Sequence, residues 1–292
     1  MKILLFGKTG QLGWELERTL AALGTVQALG QNELDLQDQA ALKQAIFTTK
    51  PDVIVNASAY TAVDRAEQEK EIAMRVNAEA PGLMAQAAKE IRAVFVHYST
   101  DYVFDGSQRT PYTESDKVNP LNVYGQSKLS GEQATAEARG AHVILRTSWV
   151  YSLRGDGFVS KVLRWARTQE ILKIVSDQVG SPTWARALAE TTALMLAGGG
   201  TTLYDYFSEH SGVYHLGGLG SVSRLDFAQE ILRLDPHKKE QICQRLEPAL
   251  TADFPTPAVR PLTTTLNCSR FRATFGVSLP AWQDALRLAM SK

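Results

Sequence analysis

Five short apolar runs, each but the last followed by a stretch of helical periodicity, organise the first half of the chain. Residues 2–6 precede a helical pattern over 11–23, residues 26–29 precede 37–48, residues 53–56 precede 69–89, and residues 93–99 precede 124–138, with 142–147 closing the series. Runs such as Val53-Ile54-Val55 and Val94-Phe95-Val96 do not alternate with polar residues. Such strands are covered on both faces, as in a parallel sheet flanked by helices. The pattern therefore predicts an α/β chain with a doubly wound parallel sheet. After Trp149 the regularity loosens. Helical stretches at 158–168, 185–196 and 225–234, a break at Gly198-Gly199-Gly200, a proline-rich segment over 254–261 and a last helix near Trp282 predict a smaller, discontinuous second domain. The expected division gives residues 1–150 and about 184–212 to the sheet domain, and 151–183 with 213–292 to the second.

The turn after the first strand sharpens this picture. Gly7, Gly10 and Gly13 fall at three-residue spacing between a strand and a helix. Gly7-Lys8-Thr9 looks like the end of a nucleoside-triphosphate loop, but the glycine that loop needs five positions before Gly7 is replaced by Lys2. The alternative is a turn that brings bare backbone against a dinucleotide pyrophosphate, which makes the sheet Rossmann-like.

Composition narrows the partners. Lys and Arg total 31 and Asp and Glu total 31, with no long basic block, so nucleic acid and anionic membrane are not expected partners. Two cysteines, Cys243 and Cys268, suit neither a metal knuckle nor a disulfide scaffold and point to a reducing compartment, with cytoplasm the default. No apolar stretch reaches bilayer length, so no membrane partner is expected. The five histidines show no paired ligand spacing and no metal is expected, although an ion shared by carboxylates at a subunit contact would leave no sequence signal. No GxSxG elbow marks a serine hydrolase. The oligomeric state stays open, a homodimer included.

In a doubly wound sheet ligands lie beyond the carboxyl ends of the strands. Three further segments sit there. Asn56-Ala57-Ser58-Ala59-Tyr60-Thr61 offers small residues against which a cofactor can lie. Ser99-Thr100-Asp101-Tyr102-Val103-Phe104 ends its strand with hydroxyls. Tyr124-Gly125-Gln126-Ser127-Lys128 places a phenol and an ammonium four residues apart on one helix face. A nearby positive charge favours phenolate, which equips a tyrosine for proton exchange near neutrality.

These segments carry a resemblance that covers nearly the whole chain. GKTGQLG at 7–13, NASAYTAVDRAE at 56–67, STDYVFDG at 99–106, NVYGQSK at 122–128, RTSWVY at 146–151, DQVGSPT at 177–183 and PTPAVRP at 255–261 resemble the extended short-chain dehydrogenase/reductases and, within them, the dTDP-4-dehydrorhamnose reductase family. The resemblance implies reduction of the 4-keto group of dTDP-4-dehydro-L-rhamnose to dTDP-L-rhamnose, a precursor of cell-surface polysaccharide, with NADPH or NADH as cofactor and a dTDP-sugar as substrate. Gly7, Lys8, Thr9, Gly10, Gln11, Leu12 and Gly13 would hold the dinucleotide pyrophosphate. Asp35 and Leu36 would meet adenine, and Ala57, Ala59, Tyr60 and Thr61 would lie along the cofactor. Tyr124 would protonate the alkoxide, Thr100 would hydrogen-bond the same oxygen, and Lys128 would lower the Tyr124 pKa and bind the nicotinamide ribose. Asp101, Trp149 and Arg260 would contact substrate, Arg260 through its diphosphate.

Two departures matter. The family often carries an acid at the end of the second strand, where this chain has Gly30, and its usual Arg-Pro-x-Asn-Ser reads Arg260-Pro261-Leu262-Thr263-Thr264 here. With Gly30 in that place both dinucleotides are expected to be accepted, with a modest lean to NADPH, unless Glu33 or Asp35 takes over the acid's role. Rival readings follow from the same fold. A sugar-nucleotide dehydratase needs a second carboxylate where Tyr102 stands, a sugar-nucleotide epimerase or another 4-ketosugar reductase could share the tyrosine, and a non-catalytic regulatory subunit would commonly have lost one of Thr100, Tyr124 and Lys128.

Overall fold

The computed structural model describes residues 1–291. Its centre is a parallel sheet containing β1 (Lys2–Phe6), β2 (Thr25–Leu29), β3 (Val53–Asn56), β4 (Val94–Thr100) and β5 (His142–Thr147), in the order β5-β4-β3-β1-β2, with Gly212–His215 added beside β5. The side chains of β1 alternate between two apolar layers. Ile3 and Leu5 pack with Leu16 and Leu188 on one face, while Leu4 and Phe6 pack with Leu42, Ile46 and Met84 on the other. Double coverage explains why these strands lack polar alternation.

The second region has its own core, in which Val159, Val162, Phe227, Trp282 and Leu286 pack together. Beside them Ile171–Val175 pairs in parallel with Arg245–Ala249. The strand Gly212–His215 was not expected from the pattern, and it pairs with β5 from Gly212↔Val143 to His215↔Arg146. A boundary between residues 212 and 213 would cut through it. The helix Ser269–Phe275 also belongs on the sheet side, where Phe271 packs with Tyr214.

The long helix expected over 69–89 is divided into Lys70–Met74, a π-helical turn Arg75–Glu79 and Ala80–Glu90. The wider turn places the fully buried Asn77 between two functional segments. Its Oδ1 accepts from the Tyr60 amide at 2.8 Å, and its Nδ2 donates to the Tyr60 carbonyl at 3.0 Å and to Ser127 Oγ at 2.9 Å. Apolar periodicity cannot distinguish such a turn from continuous α-helix, but it is a frequent device near functional sites.

Candidate active site

The ends of β1 to β5 open into a cleft of about 830 Å³ that continues to the face of the second region. At its floor, Gly7 has φ +95° and a Cβ there would stand 2.8 Å from the backbone of Ala57 and Ser58. A Cβ on Gly13 would stand 1.9 Å from the Gly7 carbonyl oxygen, so Gly13 serves close packing of helix Gln11–Leu20 and does not line the cleft. Gly10 caps that helix without a side-chain hydrogen bond. First-turn amides left without an acceptor make a ready anion site. Gly7, Thr9, Gly10, Gln11 and Leu12 line the cleft, as do Asp35, Leu36, Ala57, Ala59, Tyr60 and Thr61. The Gln11 side chain itself turns to Ser152, accepting from its amide at 2.9 Å.

Lys8 is drawn elsewhere. Its Nζ donates to Glu33 Oε1 at 2.7 Å, and Glu33 Oε2 accepts from the Gly30 amide at 2.9 Å. The Lys8 contact and the Gly30 amide hold the Glu33 carboxyl below its ordinary pKa. Gly30 brings no acid of its own, yet a carboxylate stands over its amide from three residues away. A 2′-phosphate bound here would meet both the Lys8 ammonium and the Glu33 carboxylate. Glu33→Gln is expected to raise the NADPH-to-NADH ratio of kcat/KM by about threefold to tenfold and Lys8→Ala to lower it, both effects shrinking at high salt because the pair is exposed. Ratios unchanged in both variants would place the adenosine ribose away from Gly30.

The helix Val123–Glu137 carries the phenol and the amine. Its start is fixed from three sides. Asn122 Oδ1 accepts from the Gly125 amide at 2.8 Å, Glu67 Oε1 accepts from the Val123 amide at 2.8 Å, and Gly125 lies so close to the Tyr102 carbonyl that a Cβ would stand 2.3 Å from it. These contacts position Tyr124, whose ring meets the edge of Tyr102 at 5.7 Å between centroids. Burial pushes the Tyr124 pKa up, while a hydrogen bond with Thr100 pulls the other way.

Lys128 is buried and lines the cleft, but its hydrogen bonds do not go to Tyr124. Nζ donates to the Tyr98 carbonyl at 2.6 Å and lies 3.1 Å from His97 Nε2. Burial brings its pKa down to about 7. The expectation that Lys128 lowers the Tyr124 pKa is therefore not met in this state, because the amine is turned toward the strand that packs beneath it.

Asp101 also differs from its expected role as a ligand of a sugar hydroxyl. Its carboxylate accepts from Thr100 Oγ1 at 3.1 Å, Ser148 Oγ at 2.7 Å and Thr264 Oγ1 at 2.5 Å. With only 2% of the residue exposed, these internal donors, Thr100 among them, occupy it. Thr264, which stands where the family motif has serine, supplies one of these hydroxyls.

Trp149 lines the cleft as expected, in a left-handed backbone conformation with φ +45°. Its indole fits only because residue 180 is glycine, where a Cβ would stand 2.5 Å from the ring. Arg260 is held away from the cleft in this structure. Its Nη1 and Nη2 donate to Asp64 Oδ1 and Oδ2 at 3.0 and 2.7 Å, and it does not line the cleft. Arg224 lines the cleft beside Trp149, its guanidinium 3.5 Å over the Trp149 ring. No local motif announces Arg224; it enters at the start of helix Arg224–Leu234, which Ser223 caps from the second region.

The arrangement joins an anion-binding glycine turn to a phenol, a threonine hydroxyl and a buried amine, with an aromatic wall beyond. Tyr102 fills the place where a dehydratase would carry a second carboxylate. The whole chain, residues 1–292, matches the family model described as RmlD substrate binding domain. The chain belongs to the dTDP-4-dehydrorhamnose reductase family. It is 44% identical to a dTDP-4-dehydrorhamnose reductase of Burkholderia thailandensis over 99% of this chain and 98% of that relative. A solved dTDP-4-dehydrorhamnose reductase of Clostridium acetobutylicum superposes with a TM-score of 0.89 at 34% identity, covering 99% of this chain and 98% of the other. The Bacillus anthracis enzyme, solved in complex with NADP, gives 0.88 at 30% identity, covering 98% and 97%.

Proposed function

We propose that this member of the family reduces the 4-keto group of dTDP-4-dehydro-L-rhamnose, giving dTDP-L-rhamnose, with NADPH or NADH. The observation that carries this reading is the convergence of Tyr124, Thr100 and Lys128 on the cleft that the glycine turn opens. The turn fits a dinucleotide: Gly7 leaves its backbone bare where a Cβ would collide, and Gly10 leaves the helix start free for a pyrophosphate. When bound, the nicotinamide supplies the hydride that adds to the ketone carbon.

The chain's own groups manage the charge that follows. As the carbonyl π bond breaks, its oxygen becomes an alkoxide and takes the proton of the Tyr124 phenol. Thr100 Oγ1, which in this structure donates to Asp101, turns its one hydrogen from that carboxylate to the same oxygen. Lys128 in its ammonium form stabilises the phenolate left behind, and this requires it to turn from the Tyr98 carbonyl toward the cleft. Trp149 walls the sugar, and Arg224 serves the substrate diphosphate in the role first expected of Arg260, since a guanidinium matches phosphate oxygens. The reaction leaves a nucleotide-linked sugar in water, consistent with a helix set among the described residues in which none is long and apolar enough to cross a membrane.

The test incubates purified protein with dTDP-4-dehydro-L-rhamnose and follows loss of NADPH or NADH absorbance, with the product identified by mass spectrometry and NMR. Stoichiometric formation of dTDP-L-rhamnose is expected. Dinucleotide binding without oxidation would favour a regulatory subunit, and a changed sugar without net oxidation would favour an epimerase.

A further inference from the structure

A buried hydrogen-bond chain runs sideways from the cleft through two strands. Asn56 on β3 stands opposite His97 on β4 in register, and both are fully buried. Asn56 Oδ1 accepts from the Ser58 amide at 3.0 Å, which fixes the orientation of the carboxamide. Asn56 Nδ2 therefore faces His97 Nδ1, at 3.1 Å, as a donor. An imidazole that accepts at Nδ1 carries its proton at Nε2 when neutral. Nε2 is the atom that lies 3.1 Å from Lys128 Nζ. An Nε2–H group needs an acceptor, and a lysine amine accepts only when neutral.

From this geometry we infer that the Asn56–His97 pair holds Lys128 as a neutral amine in the dinucleotide-free protein, so that binding of a dinucleotide is accompanied by uptake of one proton. The step balances simply: the amine lone pair takes a proton from solvent, and the ammonium, which can no longer accept from Nε2–H, turns its N–H groups to the ribose oxygens. His97 stays neutral throughout and is a positioning residue. Burial supports both halves of this picture, lowering the pKa of His97 well below that of a free imidazole and that of Lys128 to about 7.

The other groups around Lys128 do not supply the missing acceptor. Glu132, one turn further along the same helix, favours the ammonium through space, but its carboxylate is taken by Arg146 from β5 and by Ser99 Oγ from β4. The Tyr124 phenol, one turn back, is kept protonated by burial. Tyr98 presents its backbone carbonyl, which takes one N–H in either charge state.

The inference rests on the proposed function only for the identity of the ligand. Two measurements test it. Long-range ¹⁵N–¹H NMR on the dinucleotide-free protein should show His97 as the Nε2–H tautomer; an Nδ1–H tautomer would overturn the inference whether or not a dinucleotide binds. Calorimetric titration with NADH, which lacks the titrating 2′-phosphate, in buffers of different ionisation enthalpy should show uptake approaching one proton between about pH 8 and 9 and vanishing below about pH 6. In that window the affinity falls as pH rises, because the complex holds a proton that the free protein has lost. His97→Asn can still accept from Asn56 but leaves the amine without a donor, and should move the uptake window up by about one pH unit, the effect of one hydrogen bond. His97→Gln, which restores an amide donor at the Nε2 position, should return the window to its wild-type place. Uptake that is absent in the wild-type protein, or unmoved in His97→Asn, would overturn the proposal. Failure of NADH and NADPH to bind at all would instead overturn the proposed function, and the tautomer would still decide this inference.

Discussion

Tyr124→Phe is expected to lower turnover by about 100-fold or more while leaving dinucleotide affinity within about twofold. The phenol oxygen is the only atom removed. The ring that remains keeps its edge contact with Tyr102, and Asn122 and Glu67 still hold the start of the helix. Burial raises the phenol pKa, so in the resting protein Tyr124 is undissociated, as the proposed proton donor must be. Removing a donor used in the transition state lowers kcat and kcat/KM together, whereas removing a binding contact would raise KM alone. Steady-state kinetics beside fluorescence titration with NADPH separate the two. Turnover near the wild-type level in the phenylalanine variant would remove Tyr124 from the role of proton donor.

The second large effect is on stability. Glu132 accepts from Arg146 Nε at 2.9 Å and Nη2 at 2.6 Å, and from Ser99 Oγ at 2.5 Å, with the two charged side chains only 4% and 5% exposed. Glu132→Ala leaves a guanidinium buried against the Phe104 ring without its partner. Breaking a buried pair from one side costs about 3–5 kcal/mol, and that loss should appear as a lower urea midpoint with an unchanged m-value. Removing both charges should cost far less, because a buried pair's attraction is largely offset by the desolvation of its members. Glu132→Leu with Arg146→Met is therefore expected to recover most of the loss. A single variant within about 1 kcal/mol of wild type would mean that water reaches Arg146.

Legibility in the sequence followed the range of the interactions involved. The five main strands could be read because double burial makes them continuously apolar, and the shared helix face of Tyr124 and Lys128 could be read because helical spacing is local. The edge strand Gly212–His215 could not, since its four residues mix glycine, valine, tyrosine and histidine and gain their meaning only from β5. Arg224 and Arg260 show the same limit in opposite senses. Both are isolated arginines in the second half of the chain, and nothing near either one tells which is neutralised. Asp64, 196 residues before Arg260, settles it by folding against that guanidinium and leaving Arg224 in the cleft. Helical spacing puts Lys128 on the Tyr124 face but cannot give its hydrogen bonds, because the Tyr98 carbonyl and the His97 ring enter from a strand about 30 residues away.

The Thr264 hydroxyl on Asp101 carries a consequence for how the chain is made. The glycine turn, all five main strands and Tyr124 lie within the first 147 residues, so the ribosome delivers the parts of a dinucleotide cleft early. One of the hydrogen bonds to Asp101 comes from a partner 163 residues beyond it. The hydrogen-bond set of Asp101 is therefore complete only once residue 264 has packed home. The carboxylate that Thr264 reaches is buried where an early part of the chain meets a late one.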